Sequence, residues 1–240
     1  MSSIVRVPSA MQADAGSMGV HRVPKLGFVN AYAVEVDAGR VVIVDTGTPG
    51  SLPKFEALLQ SINRKPADVS HIILTHADAD HSGSAARLKA ATGATLAIHE
   101  LDAPRIAGEE KLKEASGAGA LLLGLFGLFM RVERVKPDLL LRDGSAIGPL
   151  TVIHTPGHTD GSVCVHLPGT ALFAGDLLRT SKSGELELAS PRMSRDMDQV
   201  RRSVEKVSRL EFKMLLPGHG EPIMDEAAAR LRTFVANGFR

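Results

Sequence analysis

Apolar positions along this chain recur with two periods. Two β-branched-rich runs, FVNAYAVEV and RVVIVDTG, flank the turn-forming Asp37-Ala38-Gly39 and predict a β-hairpin. From Ser51 to Ile62 the period lengthens. Phe55, Leu58, Leu59 and Ile62 fall at i, i+3, i+4 and i+7, which predicts a helix with Ser51 as its N-cap. HIILT (71–75) reads as a short strand of the buried kind beginning at His71. A polar loop follows, then a helix near Gly83 to Ala91 and a strand at ATLAIHE. Residues 100–136 are less regular and predict helices around Glu109, Glu110, Lys111 and Lys113. After Pro137 strands return as LTVIHT, SVCVHLP and TALFAGD. Val200, Val204, Val207 and Leu210 share one face of a later helix, and KMLLPGHG reads as a strand ending in a loop. Asp225 is the expected cap of a last helix with Leu231, Phe234 and Val235 inward. Strand groups come twice, each followed by helix. That order predicts two packed sheets with helices outside, a four-layer α/β arrangement.

Composition narrows the picture. The chain has 240 residues, 44% hydrophobic and 23% charged, which is ordinary for a globular domain. One cysteine excludes an internal disulfide framework and a Cys-based zinc ribbon. A net charge of +1 and the absence of Trp argue against a nucleic-acid binder and favour a small-molecule substrate. The N-terminus lacks an apolar run of signal-peptide length. The most apolar stretch, Gly117 to Met130, is 14 residues long, too short for a membrane span. A cytoplasmic protein is therefore expected. That stretch has three readings: a core helix, a wall of a hydrophobic pocket, or a subunit interface that would make a homodimer.

The chemistry concentrates at strand ends. THADADHSG places His76, Asp78, Asp80 and His81 directly after a strand, four potential ligands within six residues. Imidazole nitrogen and carboxylate oxygen suit zinc, iron or manganese. His158 in TPGHTDGS, Asp176 in LFAGD and His219 in LPGHG stand at three further apparent strand ends, each beside a glycine. A lone His after a strand is ordinarily a satisfied polar residue. Seven such residues together leave enough ligands for two metals bridged by one carboxylate. His21, His71, His99, His154 and His166 read as ordinary polar residues, and Cys164 between valines reads as a buried, inert thiol.

In this order, THADADHSG, TPGHTDGS, FAGD and PGHG resemble the motifs of the metallo-β-lactamase-fold hydrolases. The upstream VVIVDTG and the AIHELDAP segment match the usual run of that superfamily, so the resemblance reaches from Phe28 to His219. It implies an α/β fold, a four-layer αββα sandwich of two mixed sheets with outer helices. It also implies a single domain over 1–240, with a variable apolar helical insert at about 100–136. Residue by residue, His76 and His158 would bind a first metal, and Asp80, His81 and His219 a second, with Asp176 bridging both. Asp45 corresponds to a buried structural Asp that orients ligands. The implied cofactor is two divalent ions, zinc the leading candidate, with iron and manganese as alternatives.

One position departs from the commoner His-x-His-x-Asp-His pattern: Asp78 stands where the second His would be. If Asp78 is a ligand, its hard oxygen shifts preference toward iron or manganese. If it is too short, water takes that place. The resemblance implies a hydrolase using a metal-bridging hydroxide on an ester, thioester or lactone, with Asp80 as the catalytic group that moves the proton. Two other readings share the site. A phosphodiester or phosphotriester hydrolase would use Arg179, Arg192 and Arg195, which follow Asp176 closely enough to line its mouth. A di-iron redox enzyme is the other, since flavin-linked members carry a carboxylate at the position of Asp78.

Overall fold

A computed structural model describes residues 19–109 and 132–240. The predicted hairpin forms: β2 (Tyr32–Glu35) runs antiparallel to β3 (Val41–Val44) around a single 3-10 turn at Asp37–Gly39. β1 (Val20–Arg22) adds to β2 antiparallel, while β4 (Val69–Ile73), β5 (Thr95–His99) and β6 (Leu139–Leu141) extend the sheet in parallel. Parallel neighbours need crossovers. α1 (Leu52–Ser61) supplies the first, and α2 (Ala79–Ser82) with α3 (Ala85–Thr92) the second. α4 (Ala103–Ala107) follows β5. The second sheet contains β7 (Ala146–Ile147), β8 (Leu150–His154), β9 (Val163–Leu167) and β10 (Ala171–Gly175), all antiparallel to their sequence neighbours. A separate hairpin of β11 (Leu178–Thr180) and β12 (Leu186–Leu188) comes next, then α5 (Met197–Val207). β13 (Met214–Pro217) returns parallel to β10, and α6 (Ala227–Ala236) closes the order.

Strand alternation sorts the core into three seams. Val41 and Ile43 point to one side, where Phe55, Leu58 and Leu59 of α1 and Leu88 of α3 cover them. Val42 and Val44 point to the other side, against Val163, Val165 and Phe173 of the second sheet. On that sheet's far face, Cys164, Leu172 and Leu215 pack on Val200, Val204 and Val207 of α5 and Leu231 of α6. Helix, sheet, sheet, helix is the expected four-layer sandwich. Strands buried on both faces read as continuous apolar runs, which explains why VVIV shows no polar alternation.

Several local expectations need correction. Ser51 stands at the N-cap of α1, but its hydroxyl donates back to Thr48 O at 2.7 Å and caps nothing. α6 begins after Glu226, a left-handed residue with φ 54°, and not at an Asp225 cap. α5 ends at Val207, so Leu210 packs from beyond the helix. Its cap is Asp196, whose Oδ1 accepts from the N–H groups of Asp198 and Gln199. His71 lies inside β4. Of the helices expected around Glu109, Glu110, Lys111 and Lys113, Glu109 lies in a bend after α4 and not in a helix; the other three residues, the apolar stretch 117–130 and the interface read into it lie outside the described residues. Among the described residues no helix is long and apolar enough to cross a membrane.

Candidate metal centre

All seven predicted residues meet at one point. His76 follows β4. Asp78 occupies the N-cap position of α2, and Asp80 and His81 lie on that short helix. The β8–β9 loop brings His158, while Asp176 and His219 follow β10 and β13. Asp78 Oδ2 lies 3.0 Å from His158 Nε2 and 3.8 Å from His76 Nε2. Asp176 Oδ1 lies 3.1 Å from His81 Nε2, and Asp176 Oδ2 lies 3.4 Å from His219 Nε2 and 3.7 Å from His158 Nε2. Asp80 Oδ2 is 3.4 Å from His219 Nε2. Three sets of donors could each hold a metal ion, their ligand atoms lying within 4.8 Å: His76, Asp78 and His158; His76, His81 and Asp176; Asp80, His81 and His219. Gly218 makes room for this crowding. A Cβ there would fall 2.5 Å from Asp176 Oδ1 and from His81 Cε1.

Hydrogen bonds at the outer ring nitrogens decide which way the imidazoles face. His81 Nδ1 donates to Asp45 Oδ2 at 2.9 Å, and His219 Nδ1 donates to Phe28 O at 2.9 Å. His76 Nδ1 meets Thr75 Oγ1 at 3.0 Å; that hydroxyl gives its own proton to Asp45, so it accepts from the ring. Each of these rings therefore turns its Nε2 inward, where it offers a lone pair once the ring is neutral. Asp45 itself is strained, with φ 63°, and is held there by the Thr75 N–H at 2.8 Å as well. Two buried atoms at the centre lack a hydrogen bond of good geometry: His76 Nε2, and Asp176 Oδ1, which instead has His81 Nε2 at ion-pair distance, 3.1 Å. A buried nitrogen left unmet, as His76 Nε2 is, costs about 1–3 kcal/mol unless something electropositive meets it. The residues present therefore fit a bound cation.

Electrostatics agree. Burial opposes charge on His219, but hydrogen bonds to Asp176 and Asp80 outweigh it and push the metal-free imidazole up to about 10. His81 is likewise raised despite burial, by Asp176, Asp45 and Asp80. Burial disfavours the Asp176 carboxylate, yet His81 and His219 hold it well below the usual range. Burial similarly opposes ionised Asp80, which His81 and His219 nevertheless bring below its ordinary value. Burial, then His81, lower His76. The carboxylates thus draw positive charge into the centre, as protons or as metal.

The centre opens into a cleft of about 280 Å³ lined by Phe28, Asp78, Asp80, His158, Asp176 and His219, with Arg179, Ala189, Ser190 and Met193. Phe28 is 58% exposed and stacks parallel on His219, centroids 5.8 Å apart. Of the three arginines expected at the mouth, only Arg179 lines it, and Glu187 pairs with it at 2.7 Å. Arg195 instead pairs with Asp160. The five histidines set aside stand outside the donor groups: His99 stacks on His154, His166 meets Glu211 O, and His21 meets Glu35. Burial pushes the Cys164 thiol up to about 12.

The model of the Metallo-beta-lactamase superfamily matches residues 24–219. The chain belongs to the metallo-β-lactamase superfamily. It is a metal-dependent hydrolase, and the His/Asp groups are candidate sites for the superfamily's divalent metals. It is 32% identical over 174 residues to the uncharacterized protein YobT of Bacillus subtilis (strain 168), covering 70% of this chain and 71% of that protein. It is 30% identical over 208 residues to the acyl-coenzyme A thioesterase MBLAC2 of Homo sapiens, covering 79% and 72%. Its structure is similar to that of TTHA1623 in a di-iron-bound form, with a TM-score of 0.64 and 26% identity over 82% of this chain and 89% of that one.

Sequence reasoning missed the residues that hold this metallo-β-lactamase-fold centre from outside. Asn30 donates from Nδ2 to Pro217 O at 2.9 Å and to Gly220 O at 2.8 Å, gripping the loop that carries His219. Asp102 ties two ligand-bearing loops together. Asn30 has no ligand-type neighbours to mark it, and Asp102, although it lies in the AIHELDAP segment beside His99 and Glu100, acts through partners far away in the sequence.

Proposed function

We propose that this chain is a dinuclear thioester hydrolase. The observation that carries the reading is the buried, unpartnered His76 Nε2 inside a ring of seven convergent donors. His76, Asp78 and His158 would hold one ion and Asp80, His81 and His219 the other, with Asp176 shared. The close approach of Asp78 to both first-group histidines supports its place as a ligand. Its hard oxygen favours iron or manganese more than an imidazole would, and the similar TTHA1623 in a di-iron-bound form supports iron as a candidate. Zinc remains within the range of this donor set.

Bound divalent ions supply an acidified water and polarise the substrate carbonyl. The chain's own residues do the rest. Asp80, ionised and lining the cleft, would take the proton from the attacking water on its second carboxylate oxygen and give it to the leaving sulfur or oxygen. Phe28 and Met193 offer apolar walls to an acyl chain. The likeness to an acyl-coenzyme A thioesterase supports thioesters over simple esters and lactones.

A second reading, phosphodiester hydrolysis, is favoured by Arg179 alone, whose guanidinium lines the cleft and could exchange Glu187 for a phosphate. The deciding experiment is metal analysis together with kcat/KM for acyl-coenzyme A thioesters, carboxylic esters, lactones and phosphodiesters. Two metals per chain and the highest kcat/KM on thioesters are expected. Higher kcat/KM on phosphodiesters would overturn the proposal in favour of the second reading.

A further inference from the structure

We propose that Asp102 is a positioning residue that sets the separation of the two loops supplying the His76–Asp78–His158 group. The inference rests on the reading above, in which those three residues hold one metal. They come from different sheets: His76 and Asp78 follow β4 of the first, and His158 lies between β8 and β9 of the second. Two layers that meet only through side-chain packing can slide, and a metal group tolerates distance errors of only about 0.2 Å. Something must lock the loops in register. One backbone bond, Val163 N to Thr75 O at 2.9 Å, joins them just outside the ligands.

Asp102 provides the rest. Its side chain is wholly buried, and each oxygen takes two donors. Oδ2 accepts from Ala77 N at 2.9 Å and from Thr159 Oγ1 at 2.8 Å. Oδ1 accepts from Gly161 N at 3.0 Å and lies 3.4 Å from Arg105 Nη1. Ala77 stands between His76 and Asp78, and Thr159 directly follows His158, so a single oxygen spans from one ligand loop to the other. Gly161 permits the approach, since a Cβ there would fall 2.7 Å from Asp102 N and from its carboxylate carbon.

The buried charge is compensated. Arg105, also buried, faces the carboxylate and reaches to within 4.0 Å of Asp160. Asp160 in turn is paired with Arg195, whose backbone N–H donates to Gly157 O at 2.9 Å and His158 O at 3.3 Å. Asp102 thus belongs to a chain of alternating charges that ends on the His158 backbone. Nothing comparable from Asp102 reaches His219, whose loop Asn30 holds. Loss of Asp102 should therefore act on one metal and spare the other.

The test is cobalt(II) titration of the metal-free full chain, read by visible absorption and by competition with a chelator, alongside thermal melting of the metal-free proteins. Wild type should take two equivalents. Asp102→Asn, which puts an amide N–H where a carboxylate accepted, should keep one near wild-type affinity and weaken the other by about 10–100-fold. Thr159→Val should weaken the same equivalent, and Thr159→Ser, which restores the hydroxyl, should recover it. This pair decides the matter if Asp102→Asn does not fold. Variants that melt earlier while both affinities stay unchanged, or fall together, would show a purely structural carboxylate and overturn the inference. Wild type taking fewer than two equivalents would overturn the dinuclear reading itself, and the inference with it.

Discussion

The two halves of the centre are built differently. His76 and His158 are almost wholly buried between the sheets, and side chains of the protein interior brace them: Thr75 and Asp45 behind His76, Asp102 between the loops. His219 stands at the cleft wall, about one-quarter exposed, steered by the carbonyl of Phe28 and covered by its ring. Asp80, its neighbour, also faces the cleft, although His81 of the same half is wholly buried, and Asp78 and His158 of the first half reach the cleft too. The more enclosed half limits solvent access and favours tight binding. An open half leaves the groups that handle protons within reach of a substrate. On the proposed reading the first half holds and the second half turns over. Asp176 joins them, and Asp45 serves both through His81 and through Thr75.

The largest effect that could break this division belongs to Asp80. Asp80→Asn keeps size and one oxygen but removes the proton acceptor, so turnover at matched metal occupancy should fall by about 10²–10⁴-fold. The loss should shrink for nitrophenyl esters, whose leaving groups need little protonation; equal losses on activated and unactivated esters would make Asp80 a ligand only. Asp176→Asn should instead lose metal first and regain part of its activity with added metal. Next comes Asp45→Asn, which removes the acceptor behind His81 and behind Thr75. Both equivalents of metal should bind about 10–100-fold more weakly, in contrast to the one-sided Asp102 variant. Competition titration that showed a single weakened equivalent would mean the halves do not share Asp45.

A smaller effect follows from protons. In the metal-free protein Asp176 and Asp80 push His219 up to about 10 and His81 is raised as well, so at pH 7 metal displaces protons. Affinity should climb by about tenfold per pH unit for each proton released, and the share due to His219 should flatten above about pH 10. The sign for stability is opposite. A raised imidazole stabilises the metal-free fold fully below its unfolded value of about 6.5, and that contribution disappears as pH rises through about 10. Calorimetric titration and melting between pH 6 and 10 check both; a flat affinity profile would mean neutral histidines. The smallest expected change is one of preference. Asp78→His should keep the fold and shift selectivity in the more enclosed half from iron or manganese toward zinc. Unchanged metal selectivity would mark Asp78 as a bystander.

Much of this centre was legible beforehand because its donors are chemically distinctive and dense. His76, Asp78, Asp80 and His81 crowd one strand end, and their types alone name the chemistry. The long strands and α1, α3 and α5 were legible because apolar periods of 2 and 3.6 are local properties. β1, β6, β7, β11 and β12 are two or three residues long, too short to show a period, and went unseen. A cap misled where a hydroxyl had a better partner elsewhere, as Ser51 did in Thr48 O.

The sequence by itself determined the donor types, the alternation that buries both sheets and the family to which the chain belongs. Only the tertiary structure decided which donors share a group, which imidazole nitrogen faces inward, and which residues lock the loops. The physical reason is range. A period or a motif is written within about ten neighbouring residues. The clamp of Asn30 on Pro217 O spans 187 residues, and that of Asp102 on Thr159 spans 57. Such contacts exist only once two sheets, each without local knowledge of the other, have packed face to face.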